Sequence, residues 1–186
     1  MPSQSVNWAS ILGTLAAAFF GAWFAFLLDS RKKRQSEEDA HVKNGNLALY
    51  NLHEYWSALK QYHKDVIAPC RDRDDRWLNM PPTTERYQRM PSLLDVDLSY
   101  ILGTPHTSIY ADVYIEEHRF HTARSLIDRR DAMILEKVRP AMTGAGIKEG
   151  ETVDLGIVES AVGGHVTSML KIMTEGIIDC VEEDLE

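Results

Sequence analysis

Glu117, His118 and His121 are the densest group of metal-capable side chains in the sequence. Glu117 and His121 lie four apart and His118 three before His121, so on a helix they occupy adjacent surface positions. Imidazole nitrogens with a carboxylate would suit a first-row transition metal. Such a site needs a ligand from a second helix, and His165 is the only obvious donor. The Glu-x-x-His pairs of di-iron bundles are absent, because Ile115 stands three before His118 and His118 itself three before His121. A surface ion pair between Glu117 and His121 is the simpler expectation, and neither a metal nor any other cofactor is assigned. His63 and His165 fall on apolar stripes and read as core or boundary histidines.

Cysteine chemistry is the next possibility. Cys70 lies beside Arg71, where a cation would favour the thiolate, but Asp72, Asp74 and Asp75 oppose that shift. Cys180 falls on an apolar helical stripe and reads as a small buried hydrophobe. Two distant cysteines also make no disulfide framework or zinc ribbon. No nucleophile-elbow, Walker or Rossmann pattern is present, and Gly144 and Gly146 follow Pro140 at a helix end rather than a strand. These absences lead to the expectation that the protein is not an enzyme.

The elements are more legible than the chemistry. Residues 8–28 form 21 consecutive uncharged residues, WASILGTLAAAFFGAWFAFLL, enough at about 1.5 Å per residue to span the roughly 30 Å apolar core of a bilayer. The preceding MPSQSVN is uncharged and the run ends in Asp29 and Ser30 before Arg31, Lys32, Lys33 and Arg34. A secretory signal has the opposite flanks, so a retained transmembrane anchor is expected. Basic residues on the C-terminal side place residues 1–7 outside, 29–35 at the membrane surface among lipid headgroups, and 36–186 in the cytoplasm of an inner (plasma) membrane protein. Ala9, Gly13, Ala17, Gly21 and Ala25 recur at every fourth position, a narrow strip that permits close approach of a second helix.

Beyond Arg34 the charge changes sign. Residues 35–186 hold 16 Lys+Arg and 27 Asp+Glu, a net of −11, which disfavours sequence-independent nucleic acid binding. Apolar spacing predicts a long helix over 36–66, with a heptad-like seam of Val42, Gly45, Leu49, Leu52, Trp56, Leu59, His63 and Val66. A second is predicted from His106 to Arg139, with Val113, Phe120, Ile127 and Ile134 repeating every seven residues and Pro140 ending it. A third is predicted over 152–185, its stripe drawn from Leu155, Val158, Val162, Met169, Ile172, Gly176 and Cys180; Gly163 and Gly164 inside it imply either close packing or a kink.

Residues 69–91 read as a long loop and 92–102 as a short amphipathic helix, although the alternation in LDVDLSYIL also allows a strand. The resulting fold class is all-α: a transmembrane helix continuing into an elongated antiparallel bundle of three long helices and one short one. Counting directions puts the glycine-rich turn at 142–152 near the bilayer and the long loop at the opposite end. Arg71, Arg73, Arg76, Trp77 and Tyr87 in that loop are the expected exposed partner-binding residues. The closing acidic run, from Asp179 to Glu186, is expected at the same end, where a solvated face is the simplest expectation and pairing with those arginines or with a basic partner the alternatives. The function these features imply is a membrane-anchored scaffold, adaptor or sensor that forms homo-oligomers or docks another protein. The alternative is a membrane-acting effector whose spans assemble into a lesion or pore.

Overall fold

The computed structural model describes residues 8–83, 93, 96–148 and 153–185, with side chains from residue 12. Every regular element among them is helical and none is a strand. The chain divides into two compact units, Met1–Asn46 and Leu47–Glu186. One helix, α1 (Trp8–Tyr62), contributes to both, uninterrupted because no proline falls between Pro2 and Pro69.

In the first unit α1 carries apolar residues on all sides. Leu12, Phe19, Phe20, Trp23, Phe24, Phe26 and Leu28 are each more than half exposed, and Phe19 stacks on Trp23 one turn away. This helix is long and apolar enough to cross a membrane and lies near the N-terminus. Side chains added at Gly13 or Gly21 would meet no neighbouring atom within 4 Å, so none of the described residues fills the small-residue strip there. Among the basic residues, Arg34 pairs with Glu38 at 2.9 Å on the exposed helix surface.

The second unit is built around α3 (Thr107–Met133) and α6 (Gly164–Glu183). The two touch where Leu126 lies against Gly176 and where the Arg130 side chain bonds to Thr174. α1 joins this pair through its last turns, where Tyr55 stacks on Phe120 with ring centroids 4.3 Å apart and only 9° between planes. The buried face of α1 is Ala48, Asn51, Tyr55, Ala58, Leu59 and Tyr62, which differs in phase from the expected seam. Leu59 and Val66 of that seam are buried, whereas Val42, Leu49 and Trp56 remain exposed, with Lys60 lying over the Trp56 ring at 4.3 Å. The α6 stripe is shifted in the same way. Met169 and Ile172 face outward, and Leu170, Thr174, Ile177, Ile178 and Val181 fill the interior.

Two π-turns alter the helix ends. His63–Ile67 closes α1 and buries both Val66 and Ile67. Ile134–Val138 closes α3 but does not end the rod, which proceeds through Pro140 as α4 (Arg139–Gly144). The expected stop at Pro140 is therefore replaced by a widened turn. A proline ring collides with the carbonyl four residues back in a regular α-helix, and an i→i+5 turn relieves that collision.

The third predicted helix is two helices, α5 (Leu155–Val162) and α6, divided at Gly163. Gly163 adopts φ 91°, ψ 139°, a conformation essentially closed to residues with a Cβ. Open space surrounds Gly163 and Gly164, so backbone conformation rather than close packing explains the first glycine. The predicted short helix over 92–102 is only a 3₁₀ turn, Ser99–Gly103, in its described part. A larger core joins α1, α3 and the C-terminal half of α6; a smaller one gathers Trp77, Ile134, Val138, Val158 and Leu170.

Gly163→Ala should lower stability by about 1–3 kcal/mol, because it forces a side chain into a glycine-only conformation. Gly164→Ala, at a helical position with the same free space, should be neutral or stabilising by up to about 1 kcal/mol. Thermal unfolding of the pair checks the difference; equal melting temperatures would contradict the backbone explanation.

Candidate functional site

The predicted loop is not a free surface. Its described part runs from Ala68 through α2 (Arg76–Asn79) to an extended stretch ending at Thr83, and it is pinned to the helices at almost every turn. Irregular backbone inside a protein leaves amides and carbonyls without ladder partners, so something else must satisfy them. Here charged side chains of α3 do so. Arg130 is completely buried; its Nη2 donates to the carbonyls of Met80 at 2.8 Å and Trp77 at 3.1 Å, its Nε to Thr174 Oγ1 at 3.1 Å, and its Nη1 to Asp131 Oδ1 at 3.2 Å.

Asp131 in turn accepts from the Thr83 amide at 2.6 Å and the Thr83 hydroxyl at 3.2 Å. Burial pushes the Arg130 guanidinium down and the Asp131 carboxyl up from their ordinary values, and their mutual attraction opposes both shifts. One helical segment earlier, buried Glu117 accepts from the Leu93 amide at 2.7 Å. Three charged residues of α3 thus hold four points of the long connection between α1 and α3: Trp77, Met80, Thr83 and Leu93.

Of the five expected partner-binding residues, Trp77 is the clear departure. Its indole is 2% exposed and belongs to the smaller core, because α2 turns it inward over Ile134 and Leu170. Tyr87 lies outside the described residues. The three arginines are surface groups engaged by carboxylates. Arg71 makes a two-pronged contact with Glu182, Nη2 to Oε2 being 2.6 Å, and Arg76 a symmetric one with Glu175 at 2.8 Å for each prong. Arg73 turns back on Asp75 at 2.8 and 2.9 Å, holding that carboxyl down at about 2. The acidic C-terminal helix and the arginine loop therefore meet, as their charges suggest, through Glu175 and Glu182.

The remaining chemical candidates disperse. His121 sits 3.7 Å from Glu117, but that carboxylate is buried and its stronger contact is the Leu93 amide, so it is not the surface ion pair expected. His165 is exposed at the start of α6 rather than on its core face. His63 is half-buried, 3.6 Å from Glu182. Among the described residues no group of three His, Cys, Asp or Glu side chains converges to hold a metal ion. The Cys70 thiol is buried and faces the Asn79 carbonyl at 3.7 Å, while Cys180 is half-buried, its thiol pushed up by burial and by neighbouring carboxylates.

The sequence did carry a signal for the buried charges. Glu117 and Asp131 stand four after Val113 and Ile127, within the phase of the predicted apolar seam rather than opposite it. No family model, no curated protein and no solved structure matches this chain.

Removing the central charge should be costly. Arg130→Met leaves two loop carbonyls without donors and Asp131 without its counter-charge in the interior and should destabilise by about 3–5 kcal/mol, with Arg130→Lys recovering little because an ammonium cannot reproduce the forked donors. Arg76→Met, which breaks an exposed pair, should cost less than about 1 kcal/mol. Denaturant melts of the three variants test that ranking.

The Arg71–Glu182 contact gives a pH signature. The hydrogen bond from Arg71 is the main cause of a Glu182 carboxyl held below its ordinary value. A depressed carboxyl stabilises fully above its unfolded value and loses that contribution as pH falls through the folded one. The stability advantage of wild type over Arg71→Gln should therefore be constant above about pH 5 and shrink on acidification. An advantage that grows toward acid would contradict the assignment.

Proposed function

We propose that the protein is a non-enzymatic, single-span component of the inner (plasma) membrane, whose cytoplasmic helical unit acts as a scaffold, adaptor or sensor by self-association or by docking another protein. The observation that carries this reading is the exposed apolar surface of α1, where eight large side chains from Leu12 to Leu28 are more than half exposed. A helix apolar on every side is stable only in a protein interior or in lipid. Arg31, Lys32, Lys33 and Arg34 follow directly and support an orientation with residues 36–186 in the cytoplasm.

Two further observations favour association. The strip of Gly13, Ala17, Gly21 and Ala25 is unfilled, and its geometry suits a second helix at close range. Leu49 and Trp56 form an exposed apolar edge on the second unit, which suits a protein partner better than water. Oligomerisation through the span, partner docking through the helical unit, or both follow from these surfaces.

Native mass spectrometry of the full chain released from nanodiscs tests the proposal. A defined homo-oligomer or a stoichiometric second protein is expected, and a bare monomer would overturn it. Gly13→Leu combined with Gly21→Leu should dissociate a complex held through the span and leave one held by the helical unit intact. Span-dependent toxicity on expression, with lesions in the membrane, would favour the effector reading instead. A reporter fused after Glu186 should be found in the cytoplasm.

A further inference from the structure

α1 carries a second apolar face besides the one it buries. Val42 is 63% exposed, Leu49 67% and Trp56 42%, three large side chains at seven-residue intervals. Asn46 and His53 are exposed between them, so the edge runs Val42, Asn46, Leu49, His53, Trp56 in alternating steps of four and three. At about 100° per residue this edge is centred roughly 150° around α1 from the buried face of Ala48, Asn51, Tyr55, Ala58, Leu59 and Tyr62. Packing of that buried face therefore leaves the edge open.

Steps of four and three are the spacing of a seam between two helices. In heptad notation Val42, Leu49 and Trp56 are d residues, and Asn46 and His53 are a residues. Residues 29–41 separate the edge from the apolar run of the span, and Ala40 is the single apolar side chain among them. The edge is thus no continuation of the surface that lipid would cover, and a protein must cover it instead.

Self-complementarity identifies that protein. Two copies anchored in one membrane enter it in the same sense and at the same depth, so helices joined side by side run parallel and each residue meets its own counterpart. Along the edge Val42, Leu49 and Trp56 would each meet an apolar equal. Asn46 would meet Asn46, an amide that both donates and accepts, and asparagine at an a position specifies register in such pairs. The flanking charges match as well. Glu38 is a g residue and Lys43 the e residue of the next heptad, and a parallel pair brings g of one helix beside e of the other. Glu38 would therefore meet Lys43 of the second copy, twice by symmetry. Its Oε1 already accepts from Arg34 on the same helix at 2.9 Å, and a carboxylate can accept further donors at its other oxygen.

We infer that the exposed edge of α1 docks a second copy of this chain, the two helices running parallel and in register as a two-stranded coiled coil over residues 38–56. The inference rests on the membrane-anchored, self-associating reading above and assigns that association a surface and a geometry.

The test uses the full chain in nanodiscs. Leu49→Cys and Asn46→Cys, oxidised with copper–phenanthroline, should form disulfide-linked dimers at least about tenfold more than Leu47→Cys, which is exposed but off the edge, with wild type giving the background from Cys70 and Cys180. Glu38→Lys should weaken the dimer by about fivefold, and adding Lys43→Glu to it should restore the dimer, because the pair is rebuilt with its signs exchanged. Leu49→Glu should abolish the dimer seen by native mass spectrometry in a chain that melts as wild type does. A homo-oligomer that cross-links equally through Leu47→Cys, or that survives Leu49→Glu, would overturn this edge while leaving self-association standing. A different protein cross-linked at Leu49→Cys would overturn the second copy as occupant and leave the docking reading intact. A bare monomer would overturn both.

Discussion

A guanidinium with no access to water organises the second unit. Arg130 would be prohibitively costly to bury alone, and it is tolerated because four hydrogen bonds and a carboxylate neighbour replace its hydration. Those same bonds are what the connection between α1 and α3 needs, since Trp77 and Met80 would otherwise bury carbonyls without partners. Charge and loop solve each other's problem. The burial of Trp77, the inward turn of α2 and the placement of Met80 and Thr83 all follow from that one contact.

Glu117 repeats the arrangement with opposite sign, supplying an acceptor to the Leu93 amide where Arg130 supplies donors to carbonyls. The helices therefore do not pack as uniformly apolar cylinders. α3 presents Phe120, Ala123 and Ile127 to the larger core and intersperses them with ions that hold irregular backbone against it. Polar contacts of this kind are geometrically demanding, and they fix where the connection runs more narrowly than hydrophobic burial would.

The helical character, the apolar N-terminal segment and the α3 seam were legible in the sequence, because each rests on periodicity over many residues. Val113, Phe120, Ile127 and Ile134 all lie where a seven-residue repeat puts them. The misphased stripes of α1 and α6 have a common cause: Leu49, Trp56, Met169 and Ile172 are apolar but exposed, whereas Asn51, Thr167 and Thr174 are polar but buried. Residue type alone inverts these positions. Trp77 was assigned to the surface because its neighbours are charged, and only Arg130, more than fifty residues away in sequence, explains why it turns inward. The π-turn before Pro140 likewise has no local signature, since a proline in that position more often ends a helix.

Gly163 leaves α5 only eight residues long. An isolated helix of that length is not stable in water, where roughly twelve to fifteen residues are marginal. Its helicity is borrowed: Asp154 caps its first turn by accepting from the Gly156 amide at 2.8 Å, and Val158 is buried in the smaller core. α5 is therefore held helical by its cap and by tertiary contact rather than by its own length, so its helicity depends on the surface of the smaller core beneath Val158.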